Sequence, residues 1–287
     1  MEVTLNGPYD FDKALRRIQA NPLMIVDLNK RLIKLPLTLQ EERYVVTVQA
    51  TGTTDSPSFL VSENVKEHPA LLKRLTEILT WDIDLKMVAD HFQDTELAFL
   101  FQKYLGLPLI LDVDLYRCLV TQIIHQQLNM TFAYRLTERF AKTYGSEVEG
   151  VWFFPPPEKV AQLSPEELKE LQFSTRKAEY VIGVSKAIMD GTLDLEQFPS
   201  LSDEDVTRQL TSLRGVGHWT AQCLLLFGLG RGDLFLPADI GIQNGLKKVY
   251  QLNEKPTLEQ MEKWSKPWSP YRSYASLYLW ENLSVRE

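Results

Sequence analysis

Up to about residue 65 the apolar positions come in short alternating or β-branched runs, and from Glu67 onward they recur every three or four residues. The first spacing marks half-buried strands, the second amphipathic helices. In the opening stretch "EVTL" precedes Pro8, and Asp10 stands where it caps a helix carrying Phe11, Leu15 and Ile18 on one stripe. "RLIKLPLTL", "YVVTVQA" and, after the turn-rich "TGTTDS", "PSFLVS" read as strands. A small α/β domain is expected here, with helices after it.

In the helical part, "ALLKRLTEIL" and "DLKMVADHF" are amphipathic, and "GLPLILDVDL" links them to the next helix. "DLYRCLVTQIIHQQ" places Leu115, Leu119, Ile123 and then Leu128 for one buried face. Asn129 caps a following helix that holds Phe132, Leu136 and Phe140, so two helices meet at "HQQLN". Ser164, Pro165 and Glu167 form a capping box, "FFPPPE" reads as a rigid loop, and "DVTRQLTSL" carries Val206, Leu210 and Leu213 into "LRGVGHWTAQ".

That last stretch breaks a helix pair tightly. Gly215 and Gly217 are free to take positive φ, and Val216 between them is placed to plug into the core. Such a corner aims unpaired N–H groups of the new helix outward, which suits a phosphate. A plain helix corner is the alternative. Between Val206 and Gln251 the bases Arg208, Arg214, Arg231, Lys247 and Lys248 outnumber the acids Asp233 and Asp239, favouring the phosphate. In "GDLFLPADIGIQNGLKKVY" an extended "LFLP" delivers Asp239 into the first turn of a helix whose apolar face is Ile242, Leu246 and Val249. An N-cap is the ordinary role for such an aspartate.

Composition narrows the class. With 287 residues, 44% of them hydrophobic and 24% charged, the chain can bury a real core, and its length suggests about two domains. Neither a secretory h-region nor a membrane-length apolar run is read, so a cytoplasmic location is expected. A net charge of −7 opposes a wholly basic nucleic-acid binder. Cys118 and Cys223 lie on apolar helical faces and cannot supply a four-cysteine site; His68 and His91 have no partner at ligand spacing. No side-chain metal site is expected, and His125 is not read as catalytic.

Taken together and in order, "YDFDKALRRI", "QIIHQQLN", "RKAEYVIGVSKAIMDGTL", "LRGVGHWTAQ", "LFLPAD" and "RSYASLYLW" resemble the helix-hairpin-helix DNA glycosylases with a Gly/Pro-rich loop and catalytic Asp, most closely the bacterial 3-methyladenine DNA glycosylases of the AlkA type. The resemblance implies an α+β fold: a small β-α-β domain like half of a TATA-binding protein, then two mostly helical domains with the active-site cleft between them. The implied boundaries are 1–88 for the first, 89–112 with 231–287 for the helical domain carrying the aspartate, and 113–230 for the one carrying the hairpin. It also implies Asp239 as the catalytic carboxylate and Trp219, Trp280 and Tyr278 as base-pocket aromatics. The hairpin Arg214, Gly215, Val216 and Gly217 would hold a DNA phosphate, often with a bound sodium or potassium ion. By the same resemblance a side chain at "HQQLN", Gln127 or Leu128, wedges into the duplex when the base flips out.

Two departures stand out. Glu281 follows Trp280 where the best-known members have an aromatic, and Gln127 stands where they have an apolar wedge. Superfamily members that also cut the backbone carry a lysine where this chain has Trp219, so a monofunctional enzyme is implied. The expected partner is damaged double-stranded DNA, met as a monomer, with no required cofactor. Two other readings stay open: a helix-hairpin-helix DNA-binding protein without turnover, and a glycosylase for oxidised purines.

Overall fold

In the computed structural model, which describes residues 1–62 and 64–284, the chain opens with β1 (Glu2–Thr4), α1 (Phe11–Ile18), β2 (Ile25–Asp27), β3 (Leu32–Leu39), β4 (Glu42–Ala50) and β5 (Ser58–Val61). The five strands form one antiparallel sheet in the order β1-β5-β4-β3-β2. Alternation decides its inner face: Ile33, Leu35 and Leu37 of β3 and Val46, Val48 and Ala50 of β4 are buried with Phe11 and Leu15 of α1. Asp10 caps α1 as expected, accepting from the Lys13 amide at 2.9 Å. Strand β2 was not anticipated, since three residues are too few to display a period.

The next helices are α2 (Asn64–Glu67), α3 (Pro69–Leu79), α4 (Leu85–His91), α5 (Ala98–Lys103), α6 (Leu115–His125) and α7 (Met130–Tyr144). A hairpin of β6 (Ser146–Val148) and β7 (Val151–Phe153) follows. Then come α8 (Pro157–Val160), α9 (Pro165–Glu170), α10 (Thr175–Met189), α11 (Asp203–Thr211) and α12 (His218–Cys223), the last running into a π-helical turn at Leu224–Gly228. The chain ends with α13 (Ile240–Val249), α14 (Leu258–Ser265) and α15 (Arg272–Ser284). The capping box of α9 and the Asn129 cap of α7 are both present. The β6–β7 hairpin was not anticipated, and the "FFPPPE" segment read as a loop begins on β7 and runs into α8 at Pro157. Glu149 and Gly150 turn the chain at φ +50° and +79°, and Val151 and Phe153 cover Val45 on the outer face of the sheet.

Burial separates two cores. One lies within 118–225 and gathers α6, α7 and α10 to α12, inside the segment expected at 113–230. The other joins the sheet and α3 to α5 with α13 and α15, so the sheet and the helices carrying Asp239 share one hydrophobic interior. The expected boundary between residues 88 and 89 accordingly falls inside α4 rather than in a linker. Phe227 and Leu234 pack against both cores, and the chain crosses between them at the π-helical turn. Among the described residues no helix is long and apolar enough to cross a membrane.

Candidate active site

The segment leading to Asp239 has no regular structure, so side chains must place it. Asp233 is gripped by Arg272 at 2.6 and 3.0 Å and by the Ser269 hydroxyl at 2.7 Å, an arrangement that holds its carboxyl below the usual range. Ser273 accepts from the Leu234 amide at 3.0 Å and donates to the Arg231 carbonyl at 2.6 Å, fastening the stretch to α15. Leu236 is buried, and the Asp239 amide bonds back to its carbonyl at 3.0 Å. The chain thus arrives at α13 with its first turn fixed.

Asp239 caps α13, with Oδ1 accepting from the Ile242 amide at 2.9 Å. The same oxygen accepts from the Trp280 indole Nε1 at 2.9 Å, a side chain that arrives from α15 and stacks offset on Phe227, centroids 5.9 Å apart. Two N–H donors on one oxygen fix the carboxylate's plane. Oδ2 has no hydrogen-bond partner among the described residues. The cap and the catalytic role assigned by resemblance are therefore compatible: one oxygen is used structurally and the other is available. Cys223, buried in the last turn of α12, is near enough for the Asp239 charge to add to burial in pushing its thiol up to about 12. A thiol so raised stays protonated and inert.

Gly241 and Gly245, missed in the sequence, make this geometry possible. A Cβ on Gly241 would lie 2.8 Å from Trp280 Cδ1 and 3.0 Å from Asp239 Oδ1, and one on Gly245 would meet Leu279 at 3.1 Å. The two stand one helical turn apart on the face of α13 that meets α15. Their spacing in "IGIQNGL" was the available signal for a close crossing.

Trp219, in the first turn of α12, is 37% exposed, large for a tryptophan. Trp280 is half-buried beside Asp239. Tyr278 requires a correction: it is fully buried, stacked on Phe101 with centroids 4.0 Å apart, and lines no cleft. Helix α15 is buried nearly all round, so its sequence shows no stripe from which to tell the cleft side from the core side. Glu281 is also buried and forms an ion pair with Arg17 of α1 at 2.9 Å. That pair links the N-terminal domain to α15 beside Trp280.

In the hairpin, Gly215 takes φ +91° and a Cβ there would fall about 2.1 Å from the Tyr180 ring, while Val216 is buried as expected. Gly217 is extended instead, at φ −98°, a conformation open to any residue. The amides of Gly217, His218 and Trp219 donate to no acceptor among the described residues, and no side chain caps α12. The local basic excess is largely cancelled in space: Arg208 pairs with Asp205, Arg231 with Asp203 and Arg214 with Glu179 at 3.1 Å. Two of those acids sit just outside the window counted in the sequence. Backbone amides, more than free side-chain charge, characterise the corner.

Gln127 stands exposed at the apex of the loop after α6 with φ +56°, and Leu128 is half-buried against the second core. Of the two wedge candidates Gln127 is thus the one presented to solvent. His125 is neutral: burial first, then the charge of Lys177, lowers its pKa to about 4, and Nε2 contacts Thr137 Oγ1 at 3.0 Å. No group of histidine, cysteine and acidic side chains able to hold a metal occurs among the described residues. The hairpin carbonyls of Ser212, Arg214 and Val216 accept no hydrogen bond among the described residues.

Comparison with known proteins bears on the fold and the family. A relative from Bacillus subtilis, YfjP, whose name assigns it provisionally to the DNA-3-methyladenine glycosylases, is 45% identical over 98% of both chains. The 3-methyladenine DNA glycosylase from Archaeoglobus fulgidus superposes with a TM-score of 0.86 over 98% of this chain and 97% of that one, at 21% identity, which speaks to fold. The Schizosaccharomyces pombe 3-methyladenine DNA glycosylase Mag1, in complex with abasic DNA, has a TM-score of 0.61 and 27% identity over 69% of this chain and 97% of that one. The family model for the HhH-GPD superfamily of base excision DNA repair proteins matches residues 120–270, spanning the loop after α6, the hairpin and Asp239. With the fold, the hairpin and the capped carboxylate in place, this chain belongs to the HhH-GPD superfamily of base excision DNA repair proteins.

Proposed function

We propose that the chain is a monofunctional DNA glycosylase: it flips alkylated purines of the 3-methyladenine type out of duplex DNA, hydrolyses their N-glycosidic bond and leaves an intact abasic site. The observation that carries this reading is Asp239, with Oδ1 fixed by two donors and Oδ2 without one, held by Trp280, whose ring stacks on Phe227 where that residue packs against both cores. The relatives named for 3-methyladenine support the substrate class.

An alkylated purine carries positive charge, so the leaving base departs neutral and the sugar becomes oxocarbenium-like. A carboxylate beside that sugar interacts most strongly with charge that develops in the transition state. Oδ2 faces the sugar and orients or deprotonates the attacking water. The base leaves the stack first, because its bond is shielded inside the duplex. Trp219 and Trp280 then hold it by stacking, and a cationic base gains the additional attraction of an electron-rich ring. The free amides at the start of α12 hold a phosphate, with the Ser212, Arg214 and Val216 carbonyls able to seat a monovalent cation, and Gln127 fills the gap in the stack. Trp219 offers no amine for a Schiff base, so the strand stays uncut. We read the protein as acting alone, as a monomer, on DNA in the cytoplasm.

The test is to incubate methylated and oxidised duplex DNA with the protein and identify the free bases released. Release of 3-methyladenine from the first and no oxidised purine from the second is expected. Binding without release, or release only from oxidised DNA, overturns the reading.

A further inference from the structure

Helix α10 carries a lysine that the chemistry above does not use. Lys177 Nζ donates to the carbonyls of Ile123 at 2.8 Å, Ile124 at 2.8 Å and Gln126 at 2.6 Å, which occupies all three of its protons. These carbonyls lie where α6 ends and would otherwise lack donors; a cation is favoured there by the helix dipole. Next in sequence, Gln126 spends both amide protons on the hairpin, one on the Gly215 carbonyl and one on Thr220 Oγ1, each at 2.9 Å. One turn along α10 from Lys177, the Tyr180 ring lies against Gly215 and under the Arg214 guanidinium, 5.7 Å from its carbon. A single helix face thus holds both loops, and Gln126 bridges them. Gln127, in its left-handed conformation, follows directly, and such a backbone persists only where its flanks are over-determined.

We propose that Lys177 is a positioning residue for base flipping: with Gln126 it ties the wedge loop to the phosphate-holding hairpin, so that gripping the strand and inserting Gln127 are one movement. This rests on the glycosylase reading. Without the ammonium the hairpin still binds duplex, but Gln127 no longer enters on a rigid support. Charge-assisted bonds to the backbone are lost, and the expected cost is on the order of 10- to 100-fold in opening the stack.

The experiment uses the full chain and a duplex with 2-aminopurine beside an abasic-site analogue, whose fluorescence rises as the stack opens, together with base release from methylated DNA and affinity for undamaged duplex. Lys177→Met is expected to slow the fluorescence rise and base release by the same factor, about 10-fold or more. Affinity for undamaged duplex should stay within about 3-fold, well under the 1.4 kcal/mol that a tenfold change represents. Lys177→Arg, which keeps the charge, recovers most of the loss. Gln126→Ala loses less, and the double variant loses less than the product of the two, because both act on one bridge. The proposal is overturned if Lys177→Met opens the stack like the wild type. It is also overturned if binding falls in parallel with opening and arginine restores neither, the pattern of a merely structural lysine. Should the wild type itself neither release a methylated base nor open the stack, the functional reading fails and this proposal with it.

Discussion

Gly241→Ala adds one methyl group at the point where three parts of the site meet. Its Cβ would lie 2.8 Å from Trp280 Cδ1, 2.9 Å from Nε1 and 3.0 Å from Asp239 Oδ1, against a comfortable separation of about 3.5–4.0 Å. The indole must retreat by roughly 0.5–1 Å, because the helix backbone gives way less easily than a side chain. The Trp280–Asp239 bond, 2.9 Å now, then passes out of hydrogen-bond range. A hydrogen bond to a charged group contributes about 1.5–3 kcal/mol, and a displacement near 1 Å at a reacting centre costs up to about 10²-fold, so a fall of about 10- to 100-fold in single-turnover base release is expected. Alanine inside α13 by itself favours the helix by up to about 1 kcal/mol, so lost activity would not reflect a melted helix. The assay is release of labelled base from methylated duplex with enzyme in excess, alongside affinity for an abasic-site analogue. Trp280→Phe, which deletes the donor and keeps a ring, should fall in the same range. The double variant should be no worse than about the poorer single one. Release within twofold of wild type for Gly241→Ala, or fully multiplicative losses in the double variant, refutes the assignment of Trp280 as the group that fixes the carboxylate.

Three further outcomes are expected. Gly215→Ala drives a methyl into the Tyr180 ring and forces a left-handed residue, so duplex affinity should fall by about tenfold or more; unchanged affinity means the hairpin does not grip DNA. Borohydride reduction during turnover should trap no covalent DNA adduct, and a trapped adduct contradicts monofunctional chemistry. His125 is held near 4 while an unfolded histidine titrates near 6.5, so the unfolded chain binds the extra proton between those values; stability present above about pH 6.5 should decline toward pH 4. Urea melts at pH 7 and pH 5 should show that decline in the wild type and a smaller one in His125→Gln; equal slopes contradict it.

The sequence made the hairpin and Asp239 visible because glycine, a cap and an apolar stripe each leave a local mark. Asp10, Asn129 and Ser164 cap the helices assigned to them for the same reason. Tyr278 was misplaced because α15 is buried nearly all round, polar and apolar positions alike, and only its neighbours, Phe101 on one flank and Asp239 across from Trp280, distinguish its sides. The apparent basic patch dissolved because charge is compensated in space, by Glu179, Asp203 and Asp205, and not along a counted window. Lys177 escaped notice since a lysine in an amphipathic helix carries no sign of the three distant carbonyls it meets. The ion pair of Arg17 with Glu281, residues at opposite ends of the chain, is invisible to any local pattern.

The most direct measurement concerns Asp239→Asn, which keeps the side chain's shape and its cap while removing the charge. At about 4 Å from a sugar cation a carboxylate contributes on the order of 4 kcal/mol at an effective dielectric near 20. Single-turnover release of methylated purine should therefore fall by about 10²-fold or more, while affinity for an abasic-site analogue stays close to wild type. Release by Asp239→Asn within a few-fold of wild type would contradict the account at its centre.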